Sequence, residues 1–263
     1  MPLPVGPGAL RALVKDVSSS ERKPLVVGGA RSLADVLRRE LGRGAKPAAV
    51  RADDEPKGGA VYVYVLAGAP SGDDEAALKR ARRARVPIVA VVAGAPDVSI
   101  PYVLATDVVR LEAGEGFPLE TIAGVIAARL GEDGAPLAAG VPLLRRAVCA
   151  RLIAAFAKRN GLIGAAVFLP GVDLPVLTLN ELRLLLRLEQ AYGLEPDPRA
   201  RLPEIAATVG AGLGLRAVAR ELLDLVPVAG WAVKGAVAYA GTRALGEAAV
   251  RRLEAGAGVP GGH

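Results

Sequence analysis

Histidine and cysteine are almost missing from this chain, with one of each in 263 residues, at positions 263 and 149. His263 ends a glycine-rich AGAGVPGGH stretch that reads as a flexible tail over 255–263. Imidazole acid–base catalysis and a Ser-His-Asp triad therefore have no residue to run them. No Cys/His cluster exists for zinc. A lone cysteine permits no intrachain disulfide, so an oxidising compartment is not indicated. Cys149 sits in an apolar helical pattern and reads as a buried, inert thiol rather than a nucleophile. Aromatic residues make up 3% of the chain, which leaves few rings for stacking on bases or sugars. A clean membrane span is missing too. The candidates are 161–179, broken by Pro170, Asp173 and Pro175, and 225–245, which carries Lys234 and Arg243.

What is present is alanine, leucine and valine, in a chain that is 52% hydrophobic with a mean hydropathy of +0.35. The net charge of +6 is unevenly spread. Residues 1–135 hold 18 basic against 17 acidic side chains, and residues 136–263 hold 15 against 10. The basic excess thus accompanies the more apolar half, as attraction to anionic lipid would require. A generally basic, GC-rich coding background explains it equally well. The first twenty residues, MPLPVGPGALRALVKDVSSS, have neither the basic start nor the apolar core of a signal peptide, so cytoplasmic retention is expected.

Strand-type runs at LVVG (25–28), AVYVYVL (60–66) and PIVAVVA (87–93) alternate with helical patterns at 31–41, 73–85 and 118–130. A short strand is expected near 48–51, and a last one at 102–105 or 107–111. This alternation predicts a parallel sheet with helices on its faces. After Gly131 the strand signals stop. The expected organisation is a leader over 1–23, an α/β domain over 24–131, a linker over 132–139 and an all-helical domain over 140–254. Within the last, helices are expected at 141–160, 161–169, 176–192, 203–224 and 227–254, with Pro170, Pro175, Pro203 and Pro227 at boundaries.

The helical half contains Arg159-Asn160, Pro170-Gly171-Val172-Asp173-Leu174-Pro175, Leu177-Thr178-Leu179-Asn180 and Tyr192-Gly193. Further on come Gly210 to Arg216, Ala219-Arg220-Glu221-Leu222-Leu223, Pro227-Val228-Ala229-Gly230-Trp231, Tyr239, Gly241-Thr242 and Leu245-Gly246. On these residues the stretch 140–254 resembles the family labelled domain of unknown function 697. That family occurs in bacterial membrane-associated proteins and beside translation-factor-type GTPase domains, and it has no assigned reaction. The N-terminal half is similar to a degenerate GTPase domain. Strand LVVG leads into Gly28-Gly29-Ala30-Arg31-Ser32-Leu33, where a phosphate loop would read G-x-x-x-x-G-K-[ST]. The second spaced glycine and the lysine are missing, so no side chain there reaches β- and γ-phosphates. Asp97, in Gly94-Ala95-Pro96-Asp97, is the one match to a guanine-reading N-K-x-D, and also suits a simple turn.

Gly28, Gly29, Ser32 and Asp97 are thus remnant candidates for a nucleotide site, with no bound cofactor and no metal expected. The acidic groups Asp53-Asp54-Glu55 and Asp73-Asp74-Glu75 read as a solvated loop and a helix start. The basic run Lys79 to Arg85 reads as a solvated helix end, and nucleic acid is not an expected partner. Asp173, between prolines in an apolar stretch, is expected to pair with Arg216 or Arg220, which share one helical face. Gly210 and Gly214, with Gly230, Gly235, Gly241 and Gly246, mark points of close helix approach. The functional expectation is a non-enzymatic accessory or scaffold protein at the cytoplasmic membrane, binding its surface or a membrane protein. The alternatives are a nucleotide-responsive switch and a soluble homo-oligomer.

Overall fold

The computed structural model describes residues 7–94, 98–112, 114–166, 174–195 and 230–257. The chain forms two compact units, one of Glu21–Arg151 with Ala191–Gly193, the other of Met1–Ser20, Leu152–Gln190 and Leu194–His263. The first carries the sheet, and the elements described in the second are helices.

The sheet unit is α/β, as the alternation of elements predicts. Its five strands are β1 (Leu25–Gly29), β2 (Val50–Ala52), β3 (Val61–Leu66), β4 (Ile88–Ala93) and β5 (Val108–Leu111). All neighbours are parallel, in the order β2-β1-β3-β4-β5. Every residue of central β3 is buried, and the edge strands β2 and β5 are short. A strand covered on both faces needs a continuous apolar run, and VYVYVL supplies one. Helix α2 (Arg31–Leu41) joins β1 to β2 in one direction, and α3 (Gly72–Arg83) joins β3 to β4 in the other. Right-handed crossovers then place these helices on opposite faces. On one face, Ala77, Leu78 and Ala81 of α3 pack with Val26, Tyr62, Tyr64, Ile88 and Val92. The connection from β2 to β3 is too short for a helix and crosses β1 closely. A side chain at Gly59 would strike Val26 and the Pro56 carbonyl.

Helix α4 (Leu119–Leu130) follows β5 and buries Ile122, Ala123, Ile126 and Ala127. The stretch 132–139, expected to be a linker, departs from that expectation. It forms a 3-10 turn and a short helix α5 (Gly134–Ala138) whose five residues are all buried. Small uncharged residues such as these have no helical periodicity to betray burial, yet they fit closely under neighbours. A Cβ at Gly134 would already press on Val148.

The division between units falls inside helix α6 (Arg145–Ala166), which runs unbroken through the break expected at residue 160. Gly161 and Gly164 do not interrupt it. In the helical unit, twelve residues of the expected leader form α1 (Pro7–Ser18). Its Asp16 meets Arg183 at 3.0 Å and Arg187 at 3.6 Å, and Gln190 donates to the Val17 carbonyl at 2.8 Å. These partners lie on α7 (Leu174–Ala191). The last described helix, α8 (Gly230–Ala257), runs past 254 into the expected tail, and its expected start at 227 lies outside the described residues. The helix expected at 203–224 lies outside the described residues.

Candidate functional site

In a parallel sheet, ligands bind at the carboxyl ends of the strands, where the connections diverge. Here that point lies between β1 and β3, and the loop Gly28 to Ser32 occupies it. Both glycines have structural reasons to be there. A Cβ at Gly28 would run into the ring and hydroxyl of Tyr62, and one at Gly29 into the backbone of Val65. Gly29 also has a φ of +100°, which L side chains rarely adopt. The Ala30 N–H donates to the Val65 carbonyl at 2.8 Å, fastening the turn to β3. Ser32 is exposed in the first turn of α2. No side chain caps that helix at Ala30, so its first N–H groups remain open to a ligand or water. Asp97 lies outside the described residues.

Beside this turn the structure assembles a polar group that sequence reasoning missed. Tyr62 and Tyr64, two apart on β3, point to the same face with ring centroids 5.3 Å apart. The Tyr64 hydroxyl donates to Asp74 Oδ1 at 2.7 Å. Ser71, the N-cap of α3, donates to Asp74 Oδ2 from its backbone at 2.8 Å and its hydroxyl at 2.6 Å, closing a capping box. Burial alone would raise the Asp74 pKa, but the two Ser71 bonds and the Tyr64 bond outweigh it and hold the carboxyl below its ordinary value. Burial pushes the Tyr64 phenol far up, and its bond to Asp74 adds to the rise. Tyr62 is raised mainly by burial and then by the Asp54 charge. Its hydroxyl is buried with no hydrogen-bond partner. The alternation Val-Tyr-Val-Tyr was visible in sequence as a strand, but the Ser71–Asp74 cap that meets it was read as an acidic helix start alone.

The loop Asp53-Asp54-Glu55 is folded on itself. Arg51 lies 3.7 Å from Asp53, donates to the Lys57 carbonyl at 2.8 Å, and Glu55 N–H donates to Asp53. Among the described residues, no group of three or more His, Cys, Asp or Glu side chains is placed to hold a metal. Cys149 is buried.

The helical unit brings together three residues from separate motif fragments. Asn160 Nδ2 donates to Thr242 Oγ1 at 2.9 Å, and Asn180 Nδ2 donates to Asn160 Oδ1 at 3.0 Å. Thr242 in turn donates to the Ala238 carbonyl at 2.8 Å. Asn160 and Thr242 are fully buried and Asn180 is half-buried, so a polar chain that is buried at its centre joins α6, α7 and α8. Next to it, α6 and α8 approach closely. A Cβ at Gly161 would lie 3.1 Å from that of Tyr239, one at Gly164 3.0 Å from that of Ala238, and one at Gly235 2.9 Å from the Gly161 carbonyl. Asp173, Arg216 and Arg220, the expected ion pair, lie outside the described residues, as do Gly210 and Gly214. None of the described helices is long and apolar enough to cross a membrane.

Comparison with protein-family models, with curated proteins and with solved structures found no match to this chain.

Proposed function

We propose that this protein is a non-enzymatic accessory or scaffold protein that docks on the cytoplasmic face of the cell membrane through its helical unit. The observation that carries this reading is a set of exposed apolar side chains at one end of that unit. Leu162 on α6 is 62% exposed, Val176 on α7 47% and Tyr239 on α8 38%. All three lie within about a turn of the Asn160–Asn180–Thr242 level. Basic residues Lys158, Arg159 and Lys234 are exposed on the same helices, and Arg243 is exposed but paired with Glu247 at 2.8 Å. Apolar side chains rimmed by cations suit the boundary between headgroups and acyl chains. The close packing of α6 on α8 through glycine and alanine, with an internal polar bridge, is also the packing style of membrane-associated helices. The resemblance of 140–254 to domain of unknown function 697, whose members are membrane-associated, points the same way.

High-speed centrifugation of a bacterial lysate tests the reading. The full chain is expected in the pellet at low salt and in the supernatant after a high-salt or carbonate wash. Recovery in the low-salt supernatant would overturn it.

A second reading, a nucleotide-responsive relative of GTPases, draws support from the uncapped start of α2 at the point where the sheet connections diverge. The packing duties of Gly28 and Gly29 weigh against it, since they account for both glycines without a phosphate. Titration with fluorescent guanosine and adenosine triphosphates in the presence of magnesium discriminates the two readings.

A further inference from the structure

At the opposite end of the sheet from the Gly28 turn lies a cleft of about 480 Å³. Its floor is apolar, built from Val86, Ile88 and Val103, and its rim carries Arg82, Arg85, Tyr102 and Leu104. Arg129 and Asp107 complete the charged lining. Asp107 is buried and faces Arg129 at 3.4 Å, so that carboxylate and that guanidinium neutralise each other. Arg82 and Arg85 are exposed, and neither has an ion pair among the described residues. The cleft therefore presents two uncompensated guanidinium groups over an apolar floor.

Two of its rim residues are also held in costly backbone conformations. Arg85 has a φ of 57° and Tyr102 a φ of 65°, and only one other non-glycine residue, Ala48, has a positive φ among the described residues. Left-handed conformations of this kind disfavour bulky side chains. Tyr102 is 42% exposed and Leu104 59%, so an aromatic and an aliphatic side chain stand out toward solvent beside the arginines. Arginine and tyrosine are the side chains that interface centres favour, and a planar guanidinium matches a carboxylate in two-point contact. The basic run that reads in sequence as a solvated helix end thus contributes Arg82 and Arg85 to a built cleft.

We propose that this cleft binds an acidic segment of a partner protein, with two carboxylates on Arg82 and Arg85 and one aliphatic or aromatic side chain seated between Tyr102 and Leu104. The proposal rests on the accessory reading above and gives the recruited partner its chemistry. The open, exposed rim favours a peptide laid across it over an enclosed small molecule.

The test uses the full chain and a fluorescein-labelled pool of pentapeptides, with Asp or Glu at the four outer positions and Leu, Ile, Phe or Tyr at the centre. Fluorescence anisotropy should show binding that weakens with added salt. The double variant Arg82→Glu, Arg85→Glu should weaken it at least about tenfold. Leu104→Ser should weaken it separately, with a smaller salt dependence of the loss. Unchanged thermal melting confirms that each variant is folded, as is expected for exposed positions. Absence of binding by the wild type, or equal binding by the double variant, would overturn the proposal. Tighter binding of a labelled 20-nucleotide oligouridylate than of the pool would overturn it in favour of nucleic acid. Pelleting with membranes is read on the same samples. No peptide binding by the wild-type chain with normal pelleting refutes the cleft alone, and peptide binding by the wild-type chain without pelleting refutes the membrane reading alone.

Discussion

The Tyr62 hydroxyl is buried without a partner, and with the ring edge that bears it fills the space that Gly28 leaves open. Removing a hydroxyl that makes no bond forfeits no hydrogen bond and relieves its desolvation, against a small loss of packing on Gly28. Tyr62→Phe should therefore be neutral or stabilising by up to about 1 kcal/mol in urea unfolding. A loss of similar size would mean that the hydroxyl is bonded. Both tyrosines also make stability depend on alkali. Their folded-state pKa values lie above the ordinary 10.0, so the contribution is complete below that value and is lost as pH rises above it, when the unfolded chain ionises first. Asp74 works on the acid side. Its folded pKa is depressed, so its contribution holds above the ordinary 3.8 and disappears as pH falls through the folded value. The variant Tyr62→Phe, Tyr64→Phe should flatten the alkaline limb of a stability–pH curve and leave its acid limb sloping. In the helical unit, Asn160→Ala would take a donor from buried Thr242 and an acceptor from half-buried Asn180, at a cost of about 1–3 kcal/mol. None of this was legible beforehand. Asn160 sits 20 positions from Asn180 and 82 from Thr242, and polar residues in three helices carry no signal of convergence.

At the scale of elements, the glycines of α8 make a sharper test than the apolar runs. Gly235 and Gly241 both read in sequence as points of close approach. In the structure Gly235 abuts the Gly161 carbonyl and Ala165, whereas Gly241 has nothing within 4 Å. Gly241→Ala should stabilise by up to about 1 kcal/mol through helix propensity. Gly235→Ala should destabilise by about 1–3 kcal/mol, because the backbone of α6 must shift. Thermal melting of the two variants, moving in opposite directions, checks the crossing. The elements that sequence revealed were those with one dominant signal. The β-branched runs of β3 and β4 and the acidic-to-basic gradient of α3 are such cases. Those it missed were stabilised by contact alone. Helix α5 consists of Gly-Ala-Pro-Leu-Ala, a composition that suits a linker and is instead buried. Helix α6 continues through two glycines because they let α8 come close, a gain that offsets their poor propensity.

For the whole molecule, the parallel sheet follows from the alternation of strand and helix patterns, and the strand order follows from no local signal. The order β2-β1-β3-β4-β5 sets where the connections diverge, and so where Gly28 to Ser32 lies relative to the Arg82–Tyr102 cleft at the other end of the sheet. The missing phosphate-loop lysine was plain in sequence. The packing reasons for Gly28 and Gly29 needed coordinates, because Tyr62 and Val65 lie more than thirty residues away. Of the basic residues in 136–263, Lys158, Arg159 and Lys234 are exposed on helices α6 and α8, which also expose Leu162 and Tyr239.

Membrane-surface docking by the helical unit is best tested with purified protein and vesicles in a flotation gradient. The full chain should float with vesicles of phosphatidylglycerol and phosphatidylethanolamine at low salt, and should be released by high salt and by Leu162→Asp, Tyr239→Asp. Protein that stays at the bottom of the gradient with anionic vesicles at low salt would contradict the account.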